Sequence, residues 1–328
     1  MRTATIASTC RNDSPSDNPS GAAVSSRPRP TAGRRSIALC AVALAGLAAT
    51  FAYAKDGESR DIFGIKNLLP TRAGGREWFA HWTGKAREFV DADPDDKWFD
   101  TNHGDGEYSV DGRGHLTATG PIVRMYVHNP DGTEWNENLE ITVYFTRWTE
   151  TKLVSYSGPQ IFARTNHGTI GDERKNLCDD RGYGAKITVD GRWEFEKETA
   201  HHLPHGNASV ATARPWPELP RNMSVGVKYI LRTMTNGTQV KLELYRDLTR
   251  GADGGHWEKM TEFVDSGHNF GLGADAAAPG IKPELPLIHS LVLPDSESKK
   301  PMITVYLRHE YATIDYEKFS IREVDPVP

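Results

Sequence analysis

The sequence predicts an all-β protein, a sandwich or jelly roll of packed antiparallel sheets. Three observations carry that prediction. Period-two segments dominate the chain beyond residue 55, and strong helix-period patterns are nearly absent. Clusters of Gly, Pro, Asn and Asp separate these segments. Ten or more such segments fit into about 270 residues, which suits one large β domain.

The chain opens on a leader. Residues 1–33 are rich in Ser, Pro, Arg and Asn. Arg34-Arg35 then precede the uncharged run 37–51, and Ala52-Tyr53-Ala54 supplies a small-x-small cleavage pattern. That run is too short to span a bilayer and a polar chain follows it, so a signal peptide is expected. The twin arginine is compatible with Tat export. Leu39 before Cys40 spoils a lipoprotein box. The expected organisation is leader and signal peptide over 1–54 and a single β domain over 55–328. The expected location is periplasmic or extracellular.

The elements follow in order. Residues 115–127 read as strand turned by Pro121, and Asn129-Pro130-Asp131-Gly132 is a turn. Residues 139–148 (LEITVYFTRW) are strongly strand-like. Residues 152–165 give a strand or two. Residues 225–235 and 238–246 flank Asn236-Gly237, a hairpin signal. Segments 257–264, 302–309 and 319–324 complete the sheets. Loops are expected over 91–106, 168–182, 200–222, 247–256 and 266–300.

The stretch 183–198 fixes its own register. A two-residue loop at Asp190-Gly191 would mix apolar and charged residues on each face. A three-residue loop with a glycine bulge separates them. Tyr183, Ala185, Ile187, Val189, Trp193 and Phe195 then share one face. Lys186, Thr188, Glu194, Glu196 and Glu198 share the other, with Lys186 opposite Glu194 or Glu196. Such a charged face either meets water or lines a groove that grips a glycan.

Composition narrows the function classes. The net charge is −5, no basic run suggests nucleic acid, and no second apolar run suggests a membrane span. Cys10 and Cys40 fall in the leader, which leaves Cys178 alone in the mature chain and excludes an internal disulfide there. No Ser-His-Asp pattern, phosphate loop or dinucleotide fingerprint is present.

Residues 135–144 (WNENLEITVY), 242–247 (LELYRD), His256-Trp257-Glu258 and Asp265-Ser266-Gly267 resemble secreted proteins of the concanavalin A-like lectin/glucanase superfamily. The resemblance covers most of 60–325 and implies a β-jelly-roll sandwich of two antiparallel sheets. That fold hosts lectins, glycoside hydrolases and polysaccharide lyases, so it does not itself supply a function.

Within it, jelly-roll alginate lyases carry an Arg-x-Glu-x-Arg strand, a Gln-Ile-His segment and a late Tyr-Phe-Lys-Ala-Gly strand. This chain is similar in order but keeps none of those motifs. Glu140-Ile141-Thr142-Val143-Tyr144, Gln160-Ile161-Phe162-Ala163-Arg164 and Val305-Tyr306-Leu307-Arg308 stand in their places, with Phe162 where the histidine would be. A lyase needs a base for the proton α to a uronate carboxyl and a cation or amide to neutralise that carboxylate. The candidates are His167 or Tyr306 as base and Arg164 and Lys186 as neutralisers. Glu140, Gln160, Glu194, Glu196, Arg308 and Trp216 are the candidate substrate contacts. The bland reading makes Arg164 a surface charge, His167 a loop residue and Tyr306 a sheet aromatic.

Two further patterns compete. Glu194-Phe195-Glu196-Lys197-Glu198 loosely resembles the Glu-x-Asp-x-Glu strand of retaining β-glucanases, with Glu194 and Glu198 as the working pair. A salt-bridged strand face explains the same letters. Residues 247–258 place Asp247 and Glu258 at EF-hand spacing, but the intervening ligands are missing. His201-His202 and His205 read as a loop. No cofactor is expected. Structural calcium, for instance at Asp179-Asp180, stays open.

The leading expectation is therefore an exported lyase that cleaves an acidic polysaccharide by β-elimination. The alternatives are a non-catalytic lectin-like module, a glycoside hydrolase and a structural envelope protein.

Overall fold

The computed structural model describes residues 58–131, 135–167, 181–200, 205–273, 281–288 and 304–328. The leader, Cys178, Asp179-Asp180 and His201-His202 lie outside the described residues. The described chain is all-β in two antiparallel sheets.

One sheet has nine strands. Its order is β14 (Glu258–Asp265), β13 (Val240–Asp247), β12 (Ser224–Thr233), β7 (Leu139–Glu150), β16 (Ala312–Glu323), β5 (His115–Gly120), β4 (Glu107–Val110) and β2 (Arg87–Phe89), with β1 (Glu77–Phe79) paired to β16. The other has seven, in the order β11 (Asn207–Ala213), β10 (Trp193–Glu198), β9 (Gly182–Ile187), β8 (Gln160–Thr165), β15 (Thr304–His309), β6 (Val123–Val127) and β3 (Phe99–Asp100). Pro121 lies between β5 and β6, where the chain leaves one sheet for the other.

The core lies between the sheets. Leu139, Ile141, Val143 and Phe145 enter it from β7, and Ile161, Ala185, Trp193 and Phe195 meet it from the seven-stranded side. Alternation along each strand puts the intervening residues on the outer faces. On β7 that outer face is itself covered. Glu140 accepts hydrogen bonds from the backbone N–H groups of Leu68 (3.2 Å) and Leu69 (2.9 Å).

The β9–β10 hairpin has the register expected from its pattern. Trp193 pairs with Ile187, Glu194 with Lys186 and Phe195 with Ala185. The Thr188 N–H donates to the Arg192 carbonyl (2.9 Å), leaving a three-residue loop with Gly191 at φ 81°. A side chain at Gly191 would also strike the Trp216 carbonyl, 2.0 Å from an ideal Cβ, so the turn demands glycine. Lys197 is the exception on the apolar face. Its ammonium is buried against Asp265 (3.0 Å), which also accepts the Tyr183 hydroxyl (2.6 Å).

Elsewhere the elements depart from expectation. Within residues 152–165 the strand is confined to Gln160–Thr165, and a 3-10 turn at Ser155–Ser157 precedes it. β11 runs through a segment expected to be loop, because NASVATA is made of small residues without a strong apolar alternation. β1 to β4 are two to four residues long, too short to leave a periodic signal. β16 begins at Ala312, seven residues before the segment expected to close the sheet.

Candidate functional site

The outer face of the seven-stranded sheet gathers most of the expected site. Registers place Arg124, Arg308, Gln160, Lys186 and Glu194 side by side on β6, β15, β8, β9 and β10. The adjacent row runs Asp100, Tyr126, Tyr306, Phe162, Gly184, Glu196 and Ser209. Six of the ten expected residues, Gln160, Lys186, Glu194, Glu196, Tyr306 and Arg308, occupy these two rows, and His167 lies at the end of β8 beside them.

Part of this face is an aromatic cluster distinct from the main core. Tyr126, Phe162 and Tyr306 are buried together. The Tyr306 ring stacks on Phe162 (centroids 4.9 Å, 6°) and on His167 (4.8 Å, 30°). His167 Nδ1 is hydrogen-bonded to the Tyr126 hydroxyl. Exposed His103 packs edge-on against Tyr126 at 5.0 Å. Gly184 makes room for this cluster, since a Cβ there would sit 2.7 Å from the Phe162 ring.

Beside the cluster lies a groove of about 230 Å³, open to solvent and lined by Tyr156, Gln160, Lys186, Glu196, Glu198, Asn207, Arg308 and Glu310. Its charges interlock. Lys186 Nζ lies 3.4 Å from Glu194 and 3.5 Å from Glu196, and Arg192 holds Glu194 at 3.0 Å. Glu310 bridges Arg308 and Arg124, the latter at 3.0 Å. The Gln160 amide donates to the Tyr156 carbonyl (3.3 Å), which orients its head group. At the far edge, burial works against the Asp100 charge. Hydrogen bonds from His128 and the Asn102 N–H outweigh it and hold the carboxyl below its usual range.

Three expected residues are placed elsewhere. Arg164 belongs to β8, but its left-handed backbone (φ 50°) lies at a register shift that turns its side chain inward. There it is fully buried, donating to the carbonyls of Leu287 (2.7 Å) and Glu137 (2.6 Å) and to Thr233 Oγ1 (3.0 Å). Glu140 lies on the nine-stranded sheet, buried between Lys228 (2.9 Å) and Arg322 (3.0 Å). Those two cations keep its carboxyl below the ordinary range despite burial. Trp216 is half-buried at the sandwich edge, against Trp193 (6.1 Å) with the Arg246 guanidinium 4.9 Å above its ring. Its loop is folded back onto the hairpin by the Leu219 N–H to Val189 carbonyl bond (2.9 Å), and it does not line the groove. Tyr306 is in the right row but wholly buried.

In the 247–258 segment Asp247 and Glu258 are both engaged within the fold. The Asp247 carboxylate accepts from the backbone of Thr249, Gly251 and His256 and from the Tyr144 hydroxyl, and Glu258 pairs with Arg246. Among the described residues, no three His, Cys, Asp or Glu side chains converge as a metal site. No described helix is long and apolar enough to cross a membrane.

Sequence reasoning missed Tyr126, Arg124 and Tyr156. The first two were detectable: Arg124, Tyr126 and His128 alternate along one strand, and period two gives them a common face. Tyr156 sits in a 3-10 turn and leaves no periodic signal.

No protein-family model matches the chain, and no curated protein sequence matches it. Solved structures do. Lectin II from Ulex europaeus aligns at 10% identity, covering 73% of this chain and 98% of its own, with a TM-score of 0.37. The exoplasmic/lumenal domain of VIP36, with calcium and mannose bound, aligns at 8% identity over 75% of this chain and 92% of its own, with a TM-score of 0.42. A Parabacteroides distasonis protein provisionally described as a glycosyl hydrolase aligns at 9% identity over 66% of this chain and 84% of its own, with a TM-score of 0.38. Similarity this distant carries no argument about chemistry, which rests on the residues of the outer face.

Proposed function

We propose that this protein is an exported, single-domain carbohydrate-active protein. It cleaves an acidic polysaccharide by β-elimination on the outer face of the seven-stranded sheet. The observation that supports this most directly is the adjacency of two rows from different strands. Gln160, Lys186 and Arg308 supply the amide and cations that a uronate carboxylate needs. Tyr126, bonded to His167 and packed on Tyr306, supplies proton-transfer groups one row away.

In this reading the Tyr126–His167 pair takes the proton α to the carboxyl. The electron pair left behind forms the C4–C5 double bond, the C4–O bond breaks, and the departing oxygen is reprotonated. Arg164, Glu140 and Trp216 have no part. The test is ultraviolet absorbance of the unsaturated product across a panel of uronate polysaccharides. Turnover with one of them, reduced at least about a hundredfold in Tyr126→Phe or His167→Ala, supports the assignment. A flat trace across the panel sinks it.

A second reading is favoured by burial. Tyr126, His167 and Tyr306 are all buried, and Lys186 and Arg308 already have carboxylate partners. A groove so paired can hold sugar hydroxyls through its carboxylates and amide without chemistry. Calorimetric binding of a glycan that is never cleaved is the result this lectin-like reading expects.

A further inference from the structure

We infer that Tyr156 is the stacking platform on which a pyranose ring of the bound chain rests. The inference rests on the groove being a glycan site. Among the described residues lining the groove, Tyr156 is the aromatic one, and it is 38% exposed. The other described lining residues are charged or amide-bearing, so they can hold hydroxyls but offer no apolar face. A pyranose has both kinds of surface. Its axial C–H groups carry slight positive charge and meet the negative face of an aromatic ring, while its equatorial hydroxyls reach sideways. Tyr156 beside Gln160, Lys186 and Arg308 matches that division.

The turn that presents the ring is held from several sides. Ser157 is buried; its hydroxyl accepts from the Val154 N–H (3.3 Å) and donates to the Lys152 carbonyl (3.0 Å). The Ser155 carbonyl accepts from the Val189 N–H (3.1 Å) in the hairpin loop. The Tyr156 carbonyl accepts from Gln160 (3.3 Å). Gly158 completes the fit, since a Cβ there would lie 2.0 Å from the Ile187 carbonyl. An exposed ring on a backbone fixed before binding loses little entropy when a sugar settles on it.

The experiment compares wild type, Tyr156→Ala and Tyr156→Phe with uronate and neutral oligosaccharides of increasing length, reading KM and kcat where there is turnover and Kd where there is none. Thermal melting controls for folding. The expected result is KM or Kd raised about tenfold in Tyr156→Ala with kcat little changed, and near wild-type values in Tyr156→Phe. The affinity that wild type gains from one particular added sugar should vanish in Tyr156→Ala. If wild type uses a glycan and Tyr156→Ala uses it equally well, the platform is overturned while the groove stands. Loss in kcat alone also overturns it. If wild type neither binds nor cleaves any member of the series, the groove reading falls and the platform with it.

Discussion

A single left-handed residue removes one cation from the groove. Arg164 follows Gln160 and Phe162 at period two, so an unbroken strand would aim it outward. The bulge aims it inward, where its guanidinium ties the loops at Glu137, Thr233 and Leu287 together. Burial lowers its pKa, and carbonyl dipoles sustain the charge. Arg164→Lys should keep the charge but lose the fork, costing about 2 kcal/mol in chemical denaturation while leaving glycan affinity of the folded protein unchanged. His309 gives a second prediction. Its Nε2–H donates to the Ala312 carbonyl (3.1 Å), and its Nδ1 accepts from the Tyr316 hydroxyl (2.7 Å). Burial pushes its pKa down to about 3. The unfolded chain therefore binds a proton that the folded one refuses. This contribution is fully present above about pH 6.5 and is lost as pH falls toward 3, by roughly 4 kcal/mol. Denaturation of His309→Gln across that window should show a flatter loss than wild type.

At the scale of elements, the strongest sequence patterns were read correctly because burial enforces them. The β9–β10 register follows from Ile187, Trp193 and Phe195 needing the core while Lys186 and Glu194 need water or each other. β7 follows from its run of β-branched and aromatic residues. The placement of the candidate residues on these strands was correspondingly legible, that of Lys186 opposite Glu194 above all. Three placements were not. Period-two reasoning has no way to anticipate the bulge at Arg164. It does not say which sheet receives a strand, so Glu140 was grouped with residues of the other sheet. It does not see a proline-flanked loop folding back, as at Trp216. The glycines of β9 are the element's own test. Gly184→Ala would drive a methyl into the Phe162 ring, 2.7 Å from the ideal Cβ. Overpacking of this kind should cost about 1–3 kcal/mol. The shift should appear in near-ultraviolet circular dichroism as the Phe162–Tyr306 stack is displaced.

At the scale of the molecule, the two sheets divide the work. On the outer face of the nine-stranded sheet, the chain around residues 66–69 covers the network of Glu140, Lys228 and Arg322. That network depends on ion pairing in a dry place, so removing one member should be severe. Lys228→Met would strand the Glu140 carboxylate beside Arg322 alone, and a loss of about 3 kcal/mol in thermal or denaturant melts is expected without any change in glycan recognition. The outer face of the seven-stranded sheet carries the groove, the aromatic cluster and the interlocked charges. We propose that this second face performs elimination on an acidic polysaccharide. The most direct test is the mass of the products released from a uronate polymer. Unsaturated fragments, one water lighter than hydrolytic ones and lost in Tyr126→Phe, are the predicted result. Fragments carrying the added water, or a polymer that binds and stays intact, would contradict it.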